Sequence, residues 1–292
     1  MCDEHSLDDM AEYALRARNL SRRELGAMTL GAGLAFALPR AADAAETRES
    51  EVEIQTPDGT ADAYFVHPAS GRHPAVLVWP DIFGLRPAFR QMGRRLAESG
   101  HAVLVVNPFY RTKKAPTSPE HADFDDPEVR KTLMSLRGTL SSTTAKTDAK
   151  AFLSWLDAQP VVDTNRKIGT TGYCMGGPLV FETAGVSPTR VGAAATFHGG
   201  GLVTDGPDSP HLLIPKMKAH FLIAIAGNDD AKQPEAKSVL REAFAKAHLP
   251  AQIEVYQGTL HGWCPPDSKV YDAAQAEKAW GRLTALLEEG LV

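Results

Sequence analysis

From Glu51 onward the chain alternates short β-rich runs with stretches whose apolar residues recur every three or four positions, a pattern that leaves few folds open. The β-rich runs fall at 51–55, 61–67, 74–79, 102–106, 167–171, 192–197, 219–226 and 252–256, which predicts eight strands. The first two read as a hairpin turned by Pro57-Asp58-Gly59. The others are short apolar or β-branched runs of the sort buried inside a parallel sheet. Helical spacing is found at 87–99, 127–138, 143–158, 177–184, 234–247 and 271–289, the last marked by Trp280, Leu283, Leu286 and Leu287. The polar stretch 110–126, with Pro116 and Pro119, reads as a loop over one end of the sheet. The expected architecture is α/β: a mostly parallel eight-stranded sheet with helices on both faces. No repeat, heptad run or low-complexity tract suggests a second domain, so residues 45–292 are expected to form one.

The first 44 residues look different. Arg16, Arg18, Arg22 and Arg23 precede an apolar run from Gly26 to Leu38, which is shorter than the ~20 residues a spanning helix needs. Ala42 and Ala44 then offer small residues for a signal peptidase. Residues 1–44 are therefore expected to be a cleaved leader, and Ser21-Arg22-Arg23-Glu24-Leu25 resembles the twin-arginine export signal of bacteria. The mature chain is expected to be periplasmic or secreted, without a membrane span. The bland alternative is that residues 25–38 are a helix of the folded domain.

A net charge of −5 over 292 residues offers no basic field for a phosphate backbone, so nucleic acid is not an expected partner. A small-molecule substrate is, with the chain a monomer or small homo-oligomer. Of three cysteines, Cys2 lies in the leader, leaving Cys174 and Cys264.

Gly172-Tyr173-Cys174-Met175-Gly176-Gly177 lies between a predicted strand and a predicted helix. This is G-x-C-x-G in the place of the G-x-S-x-G nucleophile elbow of the α/β-hydrolase fold. So sharp a turn strains the nucleophile's backbone, and side chains two positions away on either side would collide. A helix N-terminus favours the Cys174 thiolate, and the Met175 N–H would face the developing oxyanion. The bland reading is a small buried cysteine beside a glycine turn.

In this fold the partners follow in the order nucleophile, acid, histidine. Asp229 and Asp230 follow the run at 219–226, and His261 follows that at 252–256. His261 would take the thiol proton and return it to the leaving group, with an aspartate fixing its tautomer. His198 also ends a strand, but it precedes both acids. Asp81 follows the run at 74–79 in the loop that supplies the second oxyanion amide, by position that of Ile82. Asp81 is either a thiol-contacting side chain or a plain turn residue. No close pairing of histidines and carboxylates suggests a metal site.

Taken together, the elbow, Asp81-Ile82-Phe83-Gly84, Asn107-Pro108-Phe109-Tyr110-Arg111, the aspartate pair and His261-Gly262-Trp263 resemble the dienelactone hydrolase family over about 51–287. The resemblance implies a Cys174-His261-Asp229 triad, with Asp230 the alternative acid, acting on an ester or lactone through a thioester without metal or organic cofactor. It further implies substrate or thiol-gating roles for Asp81, Tyr110 and Arg111. Family members with known lactone chemistry usually carry glutamate where Asp81 stands. They also hold the substrate carboxylate with two arginines; Arg111 matches one, whereas Pro265 stands in the place of the other. An uncharged ester or lactone therefore fits as well. The competing reading is a thiol redox or binding protein using a Cys174/Cys264 pair, although C-x-x-C spacing is absent.

Overall fold

The computed structural model describes residues 45–292; the leader read at 1–44, with Cys2, Arg22 and Arg23, lies outside the described residues. Eight strands form one sheet: β1 (Thr47–Thr56), β2 (Gly59–Pro68), β3 (Ala75–Trp79), β4 (Ala102–Val106), β5 (Ile168–Tyr173), β6 (Val191–Phe197), β7 (His220–Ala226) and β8 (Ala251–Tyr256). Their order is β1-β2-β4-β3-β5-β6-β7-β8. Strand β2 runs antiparallel to both β1 and β4, and the remaining pairings are parallel, so the sheet is mixed but mostly parallel. This is the α/β-hydrolase fold.

The side-chain period of two along each strand feeds two separate cores. On β3, Ala75, Leu77 and Trp79 face one way with Leu104 and Val106 of β4; Val76 and Val78 face the other with Val103 and Val105. The first face is covered by α3 (Ser142–Asp157), α4 (Gly176–Val186) and α6 (Ala236–Lys246) through Phe152, Phe181 and Phe244. The second is covered by α1 (Pro87–Glu98) and α7 (Ala273–Gly290) through Phe89, Met92, Leu283 and Leu287. Helix α2 (Pro127–Arg137) and the short α5 (Gly227–Lys232) complete the set, with a 3-10 turn at Pro210–Lys216. Among the described residues no helix is long and apolar enough to cross a membrane.

Helix starts follow local chemistry. Asp126 accepts hydrogen bonds from the amides of Glu128 and Val129 ahead of α2, and Ser141 and Thr144 form a reciprocal capping box on α3. The buried Trp79 indole donates to Thr183 Oγ1 at 3.0 Å, tying the end of β3 to α4. That contact holds the helix that follows the Cys174 turn against the strand that leads into the Asp81 loop.

Candidate active site

The parallel strands deliver their C-terminal ends to one edge of the sheet, and the residues singled out by the motifs collect there. Strand β5 ends at Tyr173, and Cys174 follows with φ of 51°, the left-handed region that L residues avoid. Its amide donates to Phe197 O at 3.0 Å, and its carbonyl accepts from Gly177 N–H at 3.0 Å, which holds the turn in place. The glycines are required by contact. A Cβ on Gly172 would stand 2.2 Å from Gly176 O, and one on Gly176 would stand 2.4 Å from Trp79 O. Cys174 is 7% exposed, immediately before Met175, the N-cap of α4, whose first turn carries no acidic residue. The positive end of that helix dipole favours a thiolate.

The elbow rests on the end of β3, which runs into the loop holding Asp81 and Ile82. There Gly84 N–H donates to Asp81 O (3.0 Å) and Phe83 N–H to Asp81 Oδ1 (2.9 Å), so the loop closes on the aspartate as a tight turn. The Asp81 carboxylate also receives two bonds from the Arg86 guanidinium, at 2.6 and 2.9 Å.

The aspartate pair and His261 follow neighbouring strands, β7 and β8. Asp229 and Asp230 sit on α5, directly after β7, a short helix that the helical spacing in the sequence does not mark. His261 follows β8 in a loop whose Thr259 hydroxyl donates to Tyr256 O at 2.7 Å. His261 Nδ1 lies 2.8 Å from Asp229 Oδ2, while Asp230 is paired with Lys237 at 2.6 Å. Asn228, which the motifs did not single out, accepts the His261 backbone N–H on its Oδ1 at 2.9 Å. The Nδ1 contact with the carboxylate fixes the orientation of the imidazole ring.

His198 is drawn into the same cluster. It ends β6 with φ of 42° and is 1% exposed, packed against the rings of His261 (5.2 Å between centroids), Trp263 (5.0 Å) and Tyr173 (6.1 Å). Neither of its ring nitrogens has a hydrogen-bond partner among the described residues. Burial, reinforced by His261, pushes its pKa well below the usual histidine range, so the ring stays neutral. Asp229 is on His261, not on His198.

Tyr110 and Arg111 are not presented as the resemblance implies. Arg111 donates to both oxygens of Asp148 (2.7 and 2.8 Å) and, through Nε and Nη2, to Asp58 Oδ2 (3.0 and 2.6 Å). Tyr110 Oη donates to Asp148 Oδ1 at 2.7 Å and lies 2.7 Å from Thr56 Oγ1. Asp148 is 1% exposed; burial raises its pKa even though Arg111 and Tyr110 oppose that shift. This network pins the β1–β2 hairpin to α3. Two protein carboxylates already neutralise the guanidinium expected to receive a substrate's.

Cys174 and Cys264 are not joined by a disulfide. Burial drives the Cys264 thiol well above its ordinary pKa, which suppresses the thiolate that disulfide exchange needs, so the redox reading has no support. Among the described residues no group of three or more His, Cys, Asp or Glu side chains could hold a metal ion.

Comparison with known proteins identifies the family. A model of the dienelactone hydrolase family matches residues 61–291. The carboxymethylenebutenolidase of Pseudomonas putida is 26% identical over 229 residues, covering 78% of this chain and 91% of that protein. A dienelactone hydrolase-like promiscuous phosphotriesterase from metagenomic libraries shares the fold with a TM-score of 0.68 at 23% identity, over 84% of this chain and 99% of that one. The dienelactone hydrolase of Anabaena variabilis gives 0.60 at 17% identity, with the same coverage of 84% and 99%. With the family match running through the elbow, the aspartates and the histidine, the chain belongs to the dienelactone hydrolase family.

Proposed function

We propose that this carboxylic-ester hydrolase opens a lactone or cleaves an ester through a thioester on Cys174, with His261 as base and acid and Asp229 orienting it. The observation that carries the reading is the His261–Asp229 hydrogen bond on the sheet edge where Cys174 is held at positive φ. His261 Nε2 takes the thiol proton, and the sulfur adds to the carbonyl carbon. The resulting oxyanion is met by the backbone N–H groups of Met175 and Ile82. Collapse breaks the C–O bond and forms the thioester, and the protonated His261 returns its proton to the departing alkoxide. In a lactone that alkoxide stays tethered to the acyl group. His261 then deprotonates a water, which attacks the thioester; the acid departs, and the sulfur regains its proton.

The substrate we propose is uncharged at the position where Arg111 would bind a carboxylate, because Asp58 and Asp148 already occupy that guanidinium. The leader at 1–44, in which the Arg22-Arg23 pair precedes the apolar run 26–38, supports export to the periplasm or medium as a further part of the proposal. Processing at Ala44 in a bacterial host, read by N-terminal sequencing of the exported protein, tests that part.

For the chemistry, the test is Cys174→Ala with a p-nitrophenyl ester. Turnover is expected to fall on the order of 10⁴-fold or more while the far-UV circular dichroism is unchanged. Full retained activity overturns the assignment. A panel of neutral and carboxylate-bearing esters and lactones then identifies the substrate class.

A further inference from the structure

Arg86 caps the start of α1, ahead of Pro87, and its side chain is only 12% exposed. Every N–H of its guanidinium has a partner. Nη1 and Nη2 donate to the two oxygens of Asp81 at 2.6 and 2.9 Å, and Nε and Nη2 donate to the two oxygens of Asp267 at 2.6 and 2.9 Å. The remaining Nη1 hydrogen points to Gly84 O at 3.4 Å. The five donors of a guanidinium are thereby used up on two carboxylates and one carbonyl. The rings of Phe89 and Phe83 lie 4.9 and 5.4 Å from its carbon, which fixes the plane of the fork.

The two aspartates belong to different parts of the proposed machinery. Asp81 begins the turn that carries Ile82, and the same Oδ1 that binds Arg86 also accepts the Phe83 amide that shapes this turn. Asp267 lies six positions after His261, in a segment closed by Ser268 N–H on Pro265 O at 3.0 Å and by Asp272 N–H on Trp263 O at 3.1 Å. From these contacts we infer that Arg86 is a positioning residue, a two-sided clamp that holds the Ile82 turn and the His261 loop in register for the transition state.

The inference rests on the proposed Cys174 chemistry and adds a requirement to it. A lysine in place of Arg86 keeps the charge but offers one point where a planar fork serves two carboxylates, so charge alone does not restore the clamp. The loss belongs to the chemical step, because an oxyanion amide displaced by a fraction of an ångström weakens transition-state binding more than ground-state binding.

The experiment compares Arg86→Lys, Asp267→Ala and Cys174→Ala on one p-nitrophenyl ester, with kcat referred to folded protein by circular dichroism and thermal melting. Arg86→Lys and Asp267→Ala are expected to lower kcat on the order of 10- to 100-fold with KM within about twofold of the parent. Parent-like kcat in both variants, or a loss confined to KM, overturns the clamp. Should Arg86→Lys fail to fold, Asp267→Ala carries the test alone, because that carboxylate is partly exposed and its removal leaves Arg86 paired with Asp81. An active Cys174→Ala instead brings down the underlying chemistry, which keeps the two failures apart.

Discussion

His261 Nδ1 and Asp229 Oδ2 meet at 2.8 Å although the two residues leave adjacent strands and stand 32 positions apart in sequence. The neighbouring Asp230 is turned to Lys237 instead, so the two consecutive carboxylates have separate duties. Asp229→Asn is expected to cut kcat by roughly 10³- to 10⁴-fold with the fold intact, because the amide no longer holds the tautomer that leaves Nε2 as acceptor. Asp230→Asn loses one partly buried ion pair, costs about 1 kcal/mol at most, and leaves kcat near the parent value. Steady-state kinetics and urea melts on the two variants separate these outcomes; equal losses in kcat contradict the assignment.

The turn that carries Cys174 depends on close backbone approach. Gly176→Ala drives a Cβ to 2.4 Å from Trp79 O and is expected to destabilise the protein by about 1–3 kcal/mol while lowering kcat. Gly281, within α7 and with open space at its Cβ position, supplies the control. Gly281→Ala is expected to stabilise by roughly 0.5–1 kcal/mol without changing activity. A harmless Gly176→Ala removes the steric argument for the elbow.

Arg111 is expected to matter for stability rather than for selectivity. Its removal leaves Asp148 buried without its compensating charge, so Arg111→Ala costs about 3–5 kcal/mol in a denaturant melt. The ratio of kcat/KM for neutral against carboxylate-bearing esters is expected to stay as in the parent. A selective loss on the carboxylate-bearing ester shows that Arg111 binds substrate.

His198 gives a stability effect with a definite sign. Its pKa is depressed by burial, so below the ordinary histidine value of 6.5 the unfolded chain binds a proton that the folded chain refuses. Stability is therefore lost as pH falls through about 6.5, on the order of 1 kcal/mol per pH unit for this group. His101, also depressed by burial, acts in the same direction. His198→Phe removes one of the two contributions and is expected to flatten the fall in melting temperature between about pH 7 and pH 5.5. An unchanged slope means that the ring is protonated in the fold.

Most of the fold was legible because strands buried on both faces must be apolar throughout, and 75–79 and 102–106 are. The hairpin strands run longer than their apolar cores suggest: β1 begins at Thr47, since the charged Arg48, Glu49, Glu51 and Glu53 line an edge strand where polar residues are tolerated. Helix α5 has six residues, Gly227–Lys232, with no apolar face for periodicity to detect. The elbow, the aspartate pair and His261 were legible because turn sterics and chain order constrain them locally; chain order admits either aspartate, and the contact of Asp229 with His261 is a matter of tertiary packing. The partners of Arg111 and Arg86 were not. Asp148 lies 37 positions from Arg111, and Asp267 lies 181 from Arg86; ion pairs of such separation leave no periodic trace. His198 was set aside on chain order, which speaks to its role but not to its packing against His261.

The direct test of the account is the mass of the enzyme acid-quenched during turnover of p-nitrophenyl acetate, followed by peptide mapping. The prediction is one acetyl group, carried by the peptide containing Cys174 and labile to hydroxylamine as a thioester is. An acetyl group on another residue, or steady turnover with Cys174 blocked by iodoacetamide, contradicts it.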